Sequence, residues 1–493
     1  MLRLVYREPL SDPGRIVLTV AAISAVVAAM IEHGVPDQMK RITGLNACGV
    51  FLRSVSEVAV NLVKALALFG GIGLVLVPAV LQASEPTNAE VLDVRAAADI
   101  ALGDNPGLAE MQARYEAMAE MPEQMGSLPD PVISFGAMNL PTDTFDLDQE
   151  PMTQLQIGFS QSLPFPGKLG LLQEASEFEA AAASLSVDEV RLKLANNVTI
   201  KWWQLHYLDR AIDTIDSNQA LLRQFIEVAK TKYETGMGLQ QDVLLAQLEL
   251  SRLLEKKIQV LAMRRNQAIG LNILMNRQPA TSIVLPQIAS RPIPPILDEK
   301  ALYQIAESSS PVLLKMDRLV SAADSRVKLA KRDLYPDFNL SVNYGFRDGE
   351  NSPPMGGART DFVSVMVGVK VPLYASTKQD KAVRQRSSEF RMQRYALLDE
   401  KNSVMADIST AVTDYRRARD ELGLYEKGII PQARQTVESM LAGYQVNQVD
   451  FLNLVRSQMT LLDYELNYWK SFAEANQALS RLQATVGKES IYE

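Results

Sequence analysis

Few side chains in this sequence are of the types that usually carry out chemistry. Its 493 residues include one Cys and two His. This excludes an intramolecular disulfide and leaves little for a Cys- or His-ligated metal or for His-dependent catalysis. The segment Gly158-Phe-Ser-Gln-Ser lacks the final glycine of a Gly-x-Ser-x-Gly nucleophile motif, and the sequence contains no phosphate-binding loop motif. The sequence therefore indicates a protein that is not an enzyme and has no cofactor.

Two sets of residues could bind a metal. The first is a row of four methionines: Met111, Met118, Met121 and Met125. Thioethers bind Cu(I), but methionine also fills hydrophobic cores and Pro122 interrupts the row, so packing is the favoured interpretation and metal binding the alternative. The second is the acidic run Asp146-x-Asp148-x-Glu150, which lacks the later carboxylate of an EF-hand loop and is interpreted as a solvated loop. No metal site is predicted.

The balance of charged residues indicates which kinds of partner the protein can bind. Lys and Arg number 50 against 58 Asp and Glu, a net charge of −8. Because the sequence has no basic block, nucleic acid is not expected as a partner. The mean hydropathy of −0.03 is too low for a bundle of membrane helices. It is compatible with membrane-spanning strands, which turn only every second residue towards lipid.

Residues 1–83 are predicted to be a leader. The apolar stretch 65–81 follows Lys64 and precedes Ala83 and a polar segment, which is the pattern of a signal peptide cleaved after Ala83. An earlier apolar stretch, residues 16–31, has three interpretations: part of a long leader, part of an over-extended translation start, or a membrane anchor. The mature chain then contains no Cys, as expected for an exported protein that needs no disulfide.

The rest of the sequence consists of two copies of one unit. The segment that begins Pro129-Asp130 recurs as one that begins Pro336-Asp337, and Asp242-Val-Leu-Leu-Ala recurs as Asp450-Phe-Leu-Asn-Leu, at an offset near 208 residues. The predicted units are a first repeat at 84–278, a Pro-rich connector at 279–295 and a second repeat at 296–487.

Each repeat contains a pair of segments in which apolar residues alternate with small or polar ones. The clearest apolar row is Phe338, Leu340, Val342, Tyr344 and Phe346. Strands are predicted near residues 131–139, 153–164, 338–347 and 361–371. Such alternation fits both an ordinary half-buried sheet and a membrane barrel. Because so few strands cannot close a barrel, a membrane-spanning form requires an oligomer, and three chains would supply twelve strands.

Each strand pair is followed by an exceptionally long helical pattern. Residues 171–235 and 373–422 contain neither Gly nor Pro. Breaks at Gly236-Met-Gly238 and at Gly443 are then followed by a second helix, which predicts antiparallel hairpins at 171–275 and 375–486. Helices of this length must pack as coiled coils. The predicted fold class is mixed and mainly α, with long coiled-coil hairpins and four strands per chain.

These motifs, in this order, resemble the outer-membrane efflux proteins of the TolC family. The resemblance covers about residues 90–487. It rests on the duplication, the Tyr-x2-Gly-x-Gly break before Asp242, the step Ser162-Leu-Pro-Phe-Pro-Gly-Lys-Leu from strand to helix, and Tyr335-Pro-Asp before the third strand. Members attached to heavy-metal pumps look similar around 127–131 and 164–168.

The resemblance implies a homotrimer whose strands form one twelve-stranded barrel in outer-membrane lipid. Its helices would form a tunnel across the periplasm. The implied partners are a periplasmic adaptor and an inner-membrane pump of the RND type, and the channel would conduct substrates passively. The alternative function is a periplasmic coiled-coil adaptor or scaffold protein, which should carry Gly-rich lipoyl-like segments.

The resemblance also assigns roles to individual residues. It implies a periplasmic tip and gate formed by Gly236, Gly238, Asp242 and Tyr444, and a lumen constriction formed by Asp450 and Asn453. Simpler interpretations are that the glycines only permit chain reversal and that both Asp residues are helix N-caps. The sequence departs from the family pattern at Val449, where a basic residue that pairs with the gate is expected.

Overall fold

The computed structural model describes residues 91–287, 293–351, 353–488 and 491–492. The predicted leader, with both of its apolar stretches, lies outside the described residues. Within the connector, Val284 pairs with Val91 in a short parallel bridge. This bridge joins the start of the described chain to the end of the first repeat.

The two repeats share one plan, in which short helices are followed by two strands and then by a pair of long helical arms. The first consists of α1 (Val94–Asp104), α2 (Pro106–Ala119), α3 (Met121–Gly126), β1 (Val132–Met138), β2 (Gln154–Leu163), α4 (Lys168–Glu234) and α5 (Gln240–Leu274). The second consists of α6 (Glu299–Ser309), α7 (Pro311–Arg332), β3 (Asp337–Phe346), β4 (Phe362–Lys370), α8 (Gln379–Leu424), a π-helical turn (Tyr425–Ile429), α9 (Ile430–Gln445) and α10 (Phe451–Val486). The predicted fold class is confirmed for the described residues.

The long helices pack as antiparallel pairs. Helix α4 has 67 residues and therefore runs about 100 Å. Near its end, Leu222 and Phe225 pack against Phe451 and Leu454 of the second repeat in one hydrophobic cluster. Each such fully buried side chain contributes roughly 1.5–3 kcal/mol. Among the helices of the described ranges, none combines the length and the apolar character needed to cross a membrane.

The segment that leads into each repeat is hydrogen-bonded to a long helix of that repeat. Trp202 of α4 is fully buried and its indole Nε1 donates to the Leu92 carbonyl at 2.9 Å. In the second repeat, the buried Tyr415 of α8 donates its hydroxyl to the Pro294 carbonyl. Each long helix is thus tied to the chain that leads into its own repeat.

The strands of the described chain form one antiparallel sheet in the order β1-β2-β3-β4. Phe159 lies opposite Val342, which lies opposite Val365, so apolar residues share one face. The other face is small and polar: Ser160 contacts the side chains of Asn339 and Ser341 within 3.2 Å. The sheet is therefore two-faced, as the alternation predicts.

A charged joint connects the sheet to the helices. Lys168 is buried at the start of α4, and its Nζ lies 2.8 Å from Oδ1 of Asp337 and 3.2 Å from Oδ1 of Asp333. Asp337 also accepts the backbone N–H of Phe165, whose ring stacks on Tyr335 at 4.7 Å. The motifs Pro-Phe-Pro-Gly-Lys and Tyr-Pro-Asp, which lie in different repeats, therefore meet at this joint.

The loops at the opposite end of the sheet are held together by arginines. Nη1 of Arg359 donates to the carbonyls of Asp148, Glu150 and Asp348, at 2.9 to 3.2 Å. Segments 139–153 and 347–361 are thereby connected. The acidic run at 146–150 forms part of this pair of loops.

Candidate functional site

The first repeat reverses direction in a tight turn at the end of α4. Gly236 has a φ of +72°, which favours glycine. The N–H of Met237 donates to the Lys232 carbonyl at 2.8 Å, as in a Schellman motif. Gly238 is needed for a different reason, because a Cβ there would lie 2.9 Å from Cβ of Lys232.

The second repeat reverses in the same way, but not at the predicted residue. Gly443 and Tyr444 lie inside α9, and the predicted break at Gly443 is wrong. Asn447 takes the left-handed conformation with a φ of 61°, and the N–H of Gln448 donates to the Gly443 carbonyl at 2.9 Å. Asparagine reaches this conformation more easily than most residues with a Cβ, which is why no glycine is needed at the turn itself.

Each turn packs one large residue against one glycine, but the two residues occupy opposite positions in the two repeats. In the first, Lys232 on the helix packs against Gly238 in the turn; in the second, Gly443 on the helix packs against Val449 in the turn. A Cβ on Gly443 would lie 2.6 Å from Cγ2 of Val449. Val449 therefore serves packing at the position where the family pattern has a basic residue.

Asp242 and Tyr444 are brought together from different repeats. The hydroxyl of Tyr444 lies 3.3 Å from Oδ2 of Asp242, and Tyr444 is 4% exposed. The N-cap of α5 is Leu239 and Asp242 lies in the first turn, so the capping interpretation of Asp242 is wrong. This pair connects the tip of one hairpin to the tip of the other.

The surroundings of this pair raise the pKa of both side chains. Burial raises the pKa of Asp242 above its ordinary value, and the negative charge of Asp450 adds to the rise, while the Tyr444 hydrogen bond and Lys232 oppose it. Burial and the Asp242 carboxylate raise the pKa of Tyr444 to about 12. Tyr444 therefore keeps its proton, and can donate it in a hydrogen bond, over the whole neutral range.

Lys232 completes the contact between the tips. It is 8% exposed, its Nζ donates to the carbonyls of Tyr444 and Gln445, and it lies 4.4 Å from the centroid of the Tyr444 ring. We call Lys232, Asp242 and Tyr444 the tip latch. Sequence patterns do not single out Lys232; the one available signal is a basic residue in the last turn of a helix.

Asp450 and Asn453 lie on the second hairpin beside the tip latch, and both are exposed. Asp450 occupies the N-cap position of α10, but its side chain makes no capping hydrogen bond. Its carbonyl accepts the N–H of Asn453 at 3.1 Å. The Asp450 carboxylate is thus free of local backbone partners within the described tip.

The methionine row lies on α2 and α3. Met111, Met118 and Met121 are half-buried, and Met111 packs against the cluster around Trp202. In the described ranges, no group of three or more His, Cys, Asp and Glu residues is placed to hold a metal ion. Packing accounts for Met111, the member whose neighbours belong to a hydrophobic cluster.

Sequence comparison decides the family. The outer membrane efflux protein family matches residues 97–277 and 302–488, one segment in each repeat. The chain belongs to the outer membrane efflux protein family. This membership assigns the efflux protein to the outer membrane.

Individual relatives are distant. The outer membrane efflux protein BepC of Brucella suis is 24% identical over 255 residues, which are 51% of this chain and 54% of BepC. The protein CyaE of Bordetella pertussis is 25% identical over 215 residues, 43% of this chain and 44% of CyaE. The matched part of the efflux protein thus spans about half the length of these relatives.

Solved structures show the same fold. The outer membrane protein VceC of Vibrio cholerae superimposes with a TM-score of 0.67 at 16% identity, covering 80% of this chain and 96% of VceC. At this identity the likeness concerns the fold alone. The duplicated hairpins and the sheet of the efflux protein are therefore an architecture that outer-membrane proteins are known to adopt.

Proposed function

We propose that the protein is the outer-membrane channel-tunnel of a tripartite efflux system and conducts substrates passively to the outside. In this proposal it acts as a homotrimer and carries out no chemistry. The observation that carries the proposal is the sheet. It has an apolar face, a polar face and two outer strands, β1 and β4, each of which has one edge without a strand partner in the described chain.

The sheet supports a trimer embedded in lipid. Phe135 and Val365 on the apolar face are 78% and 64% exposed, which is unfavourable in water and favourable against acyl chains. Open strand edges cannot be placed in lipid, because their N–H and C=O groups would lack partners. Pairing β4 of one copy with β1 of the next, three times, closes a twelve-stranded barrel and satisfies both requirements.

The hairpin tips support an interaction with a periplasmic adaptor. Met237, Leu239 and Val446 are 61%, 59% and 64% exposed at the turns. Apolar side chains grouped at the end of a long hairpin are suited to be covered by a partner. In the proposal this partner is the adaptor, and the adaptor connects the channel to an inner-membrane pump of the RND type.

The pair of Asp242 and Tyr444, the two glycines of the first turn, and Asp450 are the proposed control points. Contacts from Gly236, Gly238, Asp242 and Tyr444 would hold the periplasmic end closed. Three Asp450 carboxylates, with Asn453 beside them, would form a ring that favours cations and repels anions. The exposure of Asp450 and its lack of a capping bond support a role outside the fold of its own helix.

The proposed function is tested by membrane fractionation followed by unheated gel electrophoresis. We expect the protein in the outer-membrane fraction, with a band at three times the mass of the heated chain. The heated sample serves as the control. A soluble or inner-membrane monomer would contradict the channel and would favour the periplasmic adaptor or scaffold.

A further inference from the structure

Lys232 is a buried cation that the proposed gate of Asp242 and Tyr444 does not include. Its ammonium group lies in the last turn of α4 and is 8% exposed. Its hydrogen bonds and its ring contact are with the second repeat: the carbonyl of Tyr444, the carbonyl of Gln445 at 3.3 Å, and the Tyr444 ring at 4.4 Å. A buried ammonium group requires such partners to offset its lost hydration.

The groups that Lys232 contacts are the terminal carbonyls of a helix. The last carbonyls of any helix lack intrahelical partners, and this end carries a partial negative charge. A basic residue in the last turn commonly offsets both, but the last turn of α9 has none. Lys232 supplies the missing cation from the other repeat and thus acts as the C-cap of a helix to which it does not belong.

The position of Lys232 is itself fixed. The turn at Gly238 packs directly against its stem, where a Cβ would come within 2.9 Å. On the next helix of the same hairpin, Asp242 accepts the Tyr444 hydroxyl at 3.3 Å. Tyr444 is therefore held by the first hairpin at its carbonyl, its ring and its hydroxyl.

We propose that Lys232 is the positioning residue of the closed tip: it caps α9 from the first repeat and holds the second hairpin against the first. This role rests on the proposed function, since a closed tip exists only if the hairpins end a channel. Lys232 thereby provides within one chain the positive charge that Val449 does not provide. Opening the tip requires this ammonium group to leave the carbonyls of α9.

The first test is hydrogen–deuterium exchange on the full-length protein. Lys232→Met keeps most of the stem against Gly238 and removes the charge, and we expect the amides of residues 441–448 to exchange about fivefold faster. Lys232→Arg, which keeps the charge, is expected to restore most of the protection. The matched control is Lys230→Met, an exposed lysine on the same helix turn whose ion pair with Glu234 spans 4.0 Å.

The second test is conductance in planar lipid bilayers with the same variants. We expect Lys232→Met to raise the mean conductance at least twofold, and Lys232→Arg and Lys230→Met to remain near the wild type. Equal exchange in Lys232→Met and Lys230→Met overturns the cap. Faster exchange with unchanged conductance in a conducting protein overturns its role in closure.

The two tests also separate this inference from the proposed function. If Lys232→Met exchanges faster but no variant conducts, including the wild type, the cap of α9 is supported and the channel is contradicted. If the wild type conducts but the cap is absent, the channel is supported and Lys232 is not its positioning residue.

Discussion

At the residue scale, burial of a single aromatic ring determines how the tip responds to pH. Tyr444 is 4% exposed, whereas Tyr233, at the corresponding place in the first repeat, is 48% exposed. The same residue type therefore has two different surroundings. Tyr444 also has its hydroxyl next to a carboxylate, that of Asp242.

Alkaline pH should weaken the tip through Tyr444. Its pKa is about 12 in the folded protein against an ordinary value of 10.0, so its contribution to stability is complete below pH 10 and is lost as the pH rises through 12. We expect the thermal midpoint of the wild type to fall more between pH 10 and 12 than that of Tyr444→Phe. An equal fall in both proteins would contradict the shift.

Tyrosinate absorbance gives an independent measurement of the same equilibrium. The difference between the titration curves of the wild type and Tyr444→Phe should have its midpoint near 12. A midpoint near the ordinary value of 10.0 would show that the ring is solvated and that the tip is open in solution.

At the element scale, the sequence predicts the strands and long helices well because their periods are simple. Alternation of apolar residues alone places β3, which runs Asp337–Phe346, within one residue of the predicted 338–347. A Gly- and Pro-free run likewise predicts α4, which is one uninterrupted helix of 67 residues. The local residue pattern is sufficient to predict both elements, because each element repeats one pattern along its whole length.

The tips are less predictable because they depend on contacts between the repeats. Gly443 looks like a helix break, but its role is to leave room for Val449, and this appears only once the turn has folded back. Lys232 resembles any exposed lysine until α9 places its terminal carbonyls beside it. The pairing of Asp242 with Tyr444 came from the family pattern, because no sequence period connects residues of different hairpins.

The joint between sheet and helices leads to a stability prediction. Lys168→Met should lower the free energy of unfolding by about 2 kcal/mol, because Asp337 loses its ammonium partner. The loss is smaller than the roughly 3–5 kcal/mol of a fully buried pair, since the side chain of Asp337 is 29% exposed. Unfolding in detergent, followed by circular dichroism, measures the change.

Two further variants make this test specific. Lys331→Met removes an exposed lysine at the same joint and should leave the stability unchanged. The double variant Lys168→Met with Asp337→Asn should recover part of the loss, because residue 337 then no longer carries an unpaired charge. If Lys168→Met unfolds like Lys331→Met, the joint does not depend on this ion pair.

At the scale of the whole molecule, a single chain leaves parts of its sheet uncovered. Its apolar sheet face is exposed, and the outer edges of β1 and β4 lack strand partners within the described residues. Residues 1–83 contain 7 basic and 5 acidic residues, so each chain of the proposed trimer has a net charge of −10 once the predicted leader is removed. Any carboxylate near the three-fold axis would act together with its two copies, and the proposed function assigns Asp450 to this position.

Ion preference tests the proposed ring directly. Asp450→Ala should reduce the preference for cations over anions severalfold in single-channel recordings, because it would remove three negative charges from the proposed lumen constriction. Glu438→Ala, an exposed acidic residue on α9, is the matched control and should leave the preference unchanged. An unchanged preference in Asp450→Ala would remove the ring from the proposal.

The π-helical turn between α8 and α9 determines the direction in which the side chains of α9 point at the second tip. A π turn takes in one residue more than an α turn, and each helical residue rotates the chain by about 100°. Without the extra residue of Tyr425–Ile429, α9 would be turned by about 100° relative to α8, and Tyr444 would point away from Lys232 and Asp242. One residue, inserted in a turn far along the helix from the tip, therefore aligns Tyr444 with Lys232 and Asp242.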